Sequence, residues 1–212
     1  MKERSMIELY TAATANGQKV AIMLEECGLP YRTHVVDLVG GEHMSKAFLD
    51  LNPGGKIPVI IDPDGPGGAP FTLSQSLAIV VYLAEKTGRF MPEGPRERAE
   101  AWRYMALTAS DASGAFSGLF VFGVMKPLPD AVDFFRGQAQ RQLAILDQRL
   151  GESRYLAGDA YSIADILTYP AAATSPKALP GGIADYANLR RWVEEIGARP
   201  AVQRGLAAAP GH

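Results

Sequence analysis

The sequence predicts two successive folding units: an α/β half with element order β-α-β-α-β-β-α over residues 6–87, and an all-helical half over residues 97–212, joined by a linker at 88–96. Three observations predict this class. Short apolar runs alternate with helix-period patterns as far as Gly88, and the linker then concentrates Pro92, Gly94 and Pro95. Beyond the linker the apolar residues recur at helical spacing throughout.

Composition narrows the class further. A chain of 212 residues can bury a proper core, and 47% hydrophobic with 21% charged residues is ordinary for a globular protein. A formal net charge of −2 without a basic stripe argues against nucleic acid or an anionic membrane as partner. Cys27 is the only cysteine, so no intrachain disulfide or CxxC pair exists, which suits a reducing cytoplasm. No signal peptide is visible after the polar opening Met-Lys-Glu-Arg-Ser-Met, and no apolar run approaches the roughly 20 residues of a membrane span. The expectation is a soluble, cytoplasmic protein.

The α/β half reads as follows. Residues 7–10 form a first strand, 11–16 a small polar connection, and 17–26 a helix ending at Gly28 with Pro30 beyond. Val20, Ala21, Leu24 and Cys27 recur at helical spacing, which puts Cys27 in the core. Residues 31–38 alternate as a second strand (Tyr31, Thr33 and Val35 against Arg32 and His34), Gly40-Gly41 turns, and 45–51 is a short helix closed by Asn52-Pro53. Next comes an apolar strand pattern, Ile57, Val59, Ile60 and Ile61, interrupted by Pro58. A trans proline there would waste a ladder donor, so the pattern points to a sheet edge or a cis bend. A bend would present the Ile57 backbone outward, able to pair with an extended peptide-like ligand. Residues 62–70 are turn chemistry, a fourth strand starts at Phe71, and a helix follows whose first turn carries Gln75 and Ser76 and whose end is Lys86-Thr87-Gly88. The unpaired N–H groups at that helix start favour a carboxylate by about 0.3–1 kcal/mol.

In the helical half, residues 97–124 form a long pattern whose small residues Ser110, Ser113, Gly114, Ser117 and Gly118 predict a bend. Pro127 and Pro129 break the chain before an amphipathic stripe at Val132, Phe135, Ala139, Leu143, Leu146 and Leu150. Ser162-Ile163-Ala164-Asp165 marks another helix start: the Ser162 hydroxyl accepts from the Asp165 N–H, the carboxylate reaches back, and Tyr161 staples on Ile166. Pro170, Pro176 and Pro180-Gly181-Gly182 punctuate the remainder before a last helix at 186–196.

The order and spacing of Ile57-Pro58, Gln75-Ser76, the Pro/Gly linker and Ser162-x-x-Asp165 resemble the cytosolic glutathione S-transferases over residues 6–208. The stretch from Leu9 to Gly17 and Gly55-Lys56-Ile57-Pro58 look most like the bacterial nu-type and yeast prion-like branches. Two features depart from them: Gln75-Ser76 stands where Glu-Ser is usual, and the pattern from Ser110 to Phe122 is closer to beta-like bacterial members. The resemblance implies a thioredoxin-like N-terminal domain, an α-helical C-terminal domain, a homodimer, glutathione as co-substrate and no metal.

Residue by residue, the resemblance implies that Gln75 and Ser76 hold the γ-glutamyl carboxylate of glutathione, that Ile57 before Pro58 pairs with its cysteinyl backbone, and that Lys56 and His43 face its glycyl carboxylate. Thr14 and Asn16 match the positions that activate the thiol, with helix capping as their structural alternative and Tyr10 as the rival donor. No cysteine lies in this loop, which argues against branches that form a mixed disulfide with glutathione. Tyr104, Ser113 and Phe116 are candidates for the second-substrate pocket, and Asp111, Arg103 and Arg136 for further polar contacts. The implied function is glutathione transfer to electrophilic small molecules, with peroxide or disulfide reduction as variants. The alternative is a non-catalytic ligand-binding or regulatory module of the same fold.

Overall fold

A computed structural model describes residues 6–174, 177 and 179–208. The polar opening at 1–5 and the expected break at Pro176 lie outside the described residues. The chain divides into two compact units, Met1–Arg89 with Arg199–His212, and Phe90–Ala198.

In the first unit the elements run β1 (Ile7–Thr11), α1 (Ala15–Cys27), β2 (Tyr31–Val35), α2 (Lys46–Leu51), β3 (Val59–Asp62), β4 (Phe71–Ser74) and α3 (Ser76–Thr87), the expected thioredoxin-like order. The sheet order is β2-β1-β3-β4, with β1 parallel to β2 and antiparallel to β3, and β3 antiparallel to β4. This order decides between the two readings of Pro58. β3 is an inner strand, and the Ile57-Pro58 bond is cis, so the proline marks a bend and not an edge.

Tyr10, Val36, Phe48 and Val59 pack on the α2 face of the sheet. Leu9, Val20, Leu24, Ile60, Ile79, Val80 and Leu83 are fully buried, with α1 and α3 packed together. Burying each such aliphatic side chain stabilises by about 1.5–3 kcal/mol. Cys27 is buried as expected, with its sulfur 3.4 Å from the Thr87 hydroxyl, and burial pushes its thiol pKa up. β2 is shorter than the pattern to residue 38 because, after the Val36 N–H donates to the Thr11 carbonyl at 2.8 Å, the chain leaves the ladder.

A helix absent from the sequence expectations, α9 (Pro200–Ala207), packs on α1 within this same unit. Its Gly205 makes the approach feasible, since a Cβ there would sit 2.6 Å from the Ile22 Cα. Arg199 also grips the nearly buried Glu26 carboxylate with two hydrogen bonds, at 2.7 and 2.9 Å.

The second unit contains α4 (Pro95–Leu107), α5 (Ser113–Phe120), α6 (Pro129–Glu152), α7 (Ile163–Thr174) and α8 (Ala187–Gly197). In the small-residue region, where a bend was expected, the α4–α5 run is continuous and widens into π turns at Thr108–Ala112 and again at Val121–Met125. By length and composition alone the run Pro95–Met125 could cross a membrane, a criterion that helices of soluble proteins also meet; here it packs against α6 and α7.

The capping at Ser162 differs in detail from expectation. The Ser162 hydroxyl accepts from the Ala164 N–H at 3.3 Å and donates to Asp165 Oδ2 at 3.1 Å, while that carboxylate also accepts from the Ser162 N–H at 3.0 Å. Asp165 is fully buried and takes two further donors, the Leu156 N–H at 3.0 Å and Trp192 Nε1 at 2.9 Å. Burial pushes its pKa up to about 6 despite these bonds. The ring of Tyr161 lies against Phe90 and Tyr155.

Candidate functional site

The strand pairing brings four chain segments to one end of the sheet. Thr11, the last residue of β1, is level with Val35, the last of β2, and Tyr10 is level with Val59, the first of β3. Val59 is level in turn with Ser74, the last of β4. The β1–α1 loop, the β2–α2 loop, Ile57-Pro58 and the start of α3 therefore all leave the sheet at this end, carrying Thr14 and Asn16, His43, Ile57, and Gln75 and Ser76. None of these segments is close to all the others in sequence.

At the start of α1, Thr14 is the N-cap, its Oγ1 accepting from the Gly17 N–H at 3.2 Å. This bond uses a lone pair, so the hydroxyl proton remains available to a ligand. Gly17 lets the helix start approach the strand end: a Cβ there would lie 2.2 Å from Thr11 Oγ1 and 2.4 Å from the Ala12 carbonyl oxygen. Asn16, the second residue of α1, is exposed, and its Oδ1 accepts from Lys19 Nζ at 2.7 Å. Lys19 itself is only 1% exposed, and burial lowers its pKa to about 8. Tyr10 is occupied differently, stacked on His34 with centroids 4.5 Å apart and edge-on to Phe48.

Across the sheet end, Gln75 precedes α3 with φ 73° and ψ 112°, a conformation a non-glycine residue adopts at a cost, and its side chain does not cap the helix. The first N–H groups of α3 consequently face outward beside Ser76. Ile57 lies outside the ladder, and its N–H and C=O pair with no other group of the described residues. The loop leading to it is fixed by the buried Asn52, whose Nδ2 donates to the Lys56 carbonyl at 2.6 Å and whose Oδ1 accepts from the Gly54 N–H at 3.1 Å. The Lys56 side chain is left in solvent. His43 is half-buried in a single helical turn, Glu42–Met44, and its buried Nδ1 has no hydrogen-bond partner among the described residues.

The expected second-substrate residues all belong to the helical unit. Tyr104 is 2% exposed, between the guanidinium groups of Arg103 and Arg149 at 5.3 and 6.0 Å from its ring. The Ser113 hydroxyl donates to the Thr108 carbonyl at 2.8 Å, and Phe116 is half-buried one turn later on α5. Arg103 pairs with Glu100, Arg136 with Asp133, and Asp111 accepts from the Ser110 hydroxyl. Sequence reasoning missed Lys19, Asn52 and Gly17. The Asn16–Lys19 spacing of one helical turn was legible, but a lysine reads as solvated unless its burial is known.

Comparison with known proteins shows the relatives of the chain. Residues 15–86 match the family model for the glutathione S-transferase N-terminal domain, and residues 117–200 match that for the C-terminal domain. The chain is 36% identical to disulfide-bond oxidoreductase YfcG of Escherichia coli (strain K12), over 96% of each chain. Among solved structures it is similar to a glutathione transferase from Burkholderia graminis with two glutathione molecules bound per subunit, at 37% identity and a TM-score of 0.90, covering 97% of this chain and 89% of that one. It is also similar to a glutathione transferase from Pseudomonas putida with one glutathione disulfide per subunit, at 34% identity and a TM-score of 0.89, covering 97% and 93%.

Proposed function

The chain belongs to the glutathione S-transferase family, and we propose that it is a glutathione-dependent enzyme that binds the tripeptide at the sheet end described above and activates its thiol. The observation that carries this reading is the convergence of three kinds of group there. These are hydroxyl and amide donors at Thr14 and Asn16, an unpaired extended backbone at Ile57, and the uncapped start of α3 at Gln75 and Ser76. They match the three parts of glutathione that need partners.

The α-carboxylate of the γ-glutamyl end meets the N–H groups of α3 and the Ser76 hydroxyl, with Gln75 beside it. The cysteinyl amide pairs with the Ile57 backbone as a short added strand. His43 and Lys56 face the glycyl carboxylate, which gives the buried His43 Nδ1 a use. The sulfur then lies toward α1, where Thr14 and Asn16 donate to it. A model cysteine thiol titrates near ~8.5, and a hydrogen bond to a charged group contributes about 1.5–3 kcal/mol, or roughly one to two pKa units. One such donor raises the thiolate fraction at pH 7 by about tenfold or more, and a donor worth about 2 kcal/mol or above makes thiolate the major form. Tyr10, engaged with His34 and Phe48, is the weaker candidate donor.

Two outcomes are open to that thiolate: attack on an electrophilic carbon, and attack on a disulfide or peroxide. Disulfide reduction is supported by the similarity to disulfide-bond oxidoreductase YfcG, and because Cys27 is buried beside Thr87 on the helix end remote from Thr14, the thiol for it would come from glutathione alone. Glutathione thiolate would then attack the substrate disulfide, releasing one substrate thiolate, and a second glutathione thiolate would attack the glutathione sulfur of the mixed disulfide, forming glutathione disulfide and releasing the second substrate thiolate. We propose that the enzyme works as a homodimer, to be checked by light scattering. Calorimetric titration with glutathione, followed by turnover of chlorodinitrobenzene and of hydroxyethyl disulfide, tests the whole reading. Binding with turnover of either substrate is expected; absence of binding at millimolar glutathione would sink it, and binding without turnover would leave a ligand-binding module.

A further inference from the structure

Resting on the glutathione reading, we propose that Lys19 is a positioning residue for the thiol, its ammonium holding the Asn16 side-chain oxygen and so turning the Asn16 amide N–H groups toward the glutathione sulfur. The side chain of asparagine presents an acceptor on one side and two donors on the other, and which side faces a ligand depends on its neighbours. An ammonium has three donors and no acceptor, so only Oδ1 can face Lys19 Nζ at 2.7 Å. Asn16 cannot turn over without placing N–H against N–H. Its Nδ2 donors are thereby committed to the exposed side of α1, where they bond to no other described residue.

The arrangement is one of position as well as orientation. Lys19 is 1% exposed and lies one helical turn after Asn16, so the short link between them is held by the packing of α1 and not by a solvated, mobile side chain. No carboxylate pairs with Lys19 among the described residues, although the chain carries Glu25 and Glu26 on the same helix, both paired with arginines of α9 or its leading residue. Thr14 completes the set: its lone pair is used by the Gly17 N–H, its proton is not, and Thr14 and Asn16 become two outward donors in the first turn of one helix.

The test reads the thiol of bound glutathione by its thiolate ultraviolet absorbance as pH is varied, in wild type, N16A, K19M and the double variant, with K19Q as a second substitution at the same site. Positioning through Asn16 predicts that N16A and K19M each raise the bound thiol's pKa by about one unit, roughly a tenfold loss of thiolate at lower pH. It also predicts that K19M adds less than about twofold in the N16A background. K19Q keeps a donor toward Oδ1 and should fall between wild type and K19M, and it decides the question if K19M does not fold. An unchanged thiol in K19M and K19Q beside a shifted one in N16A would overturn the role of Lys19 and leave the glutathione reading standing. So would full additivity of the two substitutions. A wild-type protein that binds no glutathione would overturn both.

Discussion

Replacing Lys19 with methionine should hold or raise the stability of the ligand-free protein at neutral pH. Burial pulls the lysine pKa from 10.5 to about 8, so the folded state carries its charge at a penalty. At 1.36 kcal/mol per unit, the penalty is about 3 kcal/mol below pH 8. The sign follows from proton counting. Between pH 8 and 10.5 the unfolded chain holds a proton that the folded chain has released, so the lysine's contribution to stability rises with pH across that window and is constant on either side. Methionine matches the length of the side chain and removes the charge. Losing the bond to Asn16 returns an amide oxygen to water, because Asn16 is exposed, and as a hydrogen bond from a charged group it offsets about 1.5–3 kcal/mol of the gain. The expected result in urea unfolding is a K19M protein no less stable than wild type at pH 7 and more stable by up to about 1.5 kcal/mol, or up to about 3–6 °C in Tm for a chain of this size. The advantage should shrink by about 3 kcal/mol by the upper end of the window. A K19M protein less stable than wild type at pH 7, or a difference independent of pH, would refute the reasoning. If K19M gains stability while losing thiolate, the buried ammonium is kept for the reaction and not for the fold.

Gln75 presents the same tension in its backbone. Q75G relieves the positive φ, so stability should hold or rise by about 1 kcal/mol while calorimetry shows glutathione binding weakened by at least about tenfold; a glycine variant that loses stability would contradict the strain. D165A strands the Leu156 and Ser162 N–H groups and Trp192 Nε1 in the core, and at about 1–3 kcal/mol per orphaned donor should lower the denaturant midpoint by the equivalent of at least about 3 kcal/mol. G205A drives a methyl into the Ile22 backbone, which cannot yield as a side chain could, and should cost about 1–3 kcal/mol. R199A leaves the buried Glu26 uncompensated and should cost about 3–5 kcal/mol, with both substitutions loosening α9 in hydrogen exchange; unaltered protection of α9 would argue against its anchoring by Arg199 and Gly205.

Much of the local structure was written in the chain. The helix stops at Gly28 and Gly88 have φ 67° and 65°, the left-handed conformation that glycine adopts without a Cβ penalty. The stripe from Val132 to Leu150 lies within one long helix, α6. The short helix α9 is hard to read because eight residues give an apolar pattern only about two turns in which to repeat, although Arg199-Pro200 is a serviceable start signal. Pro170 looked like a break yet lies inside α7, a case of packing overriding local preference, since α7 is almost wholly buried.

By itself, then, the sequence determined the order of the elements of the α/β half, the interruption of the strand pattern at Pro58, and the residues flanking each junction, because periodicity, capping and proline geometry act over a few neighbours. Only the tertiary structure decided that these junctions share one sheet end, since Tyr10, Val59 and Ser74 become level through pairings between strands distant in sequence. It also decided that Lys19 is buried and turned onto Asn16. Burial of a charged side chain depends on what the rest of the chain lays over it, and no local pattern records that.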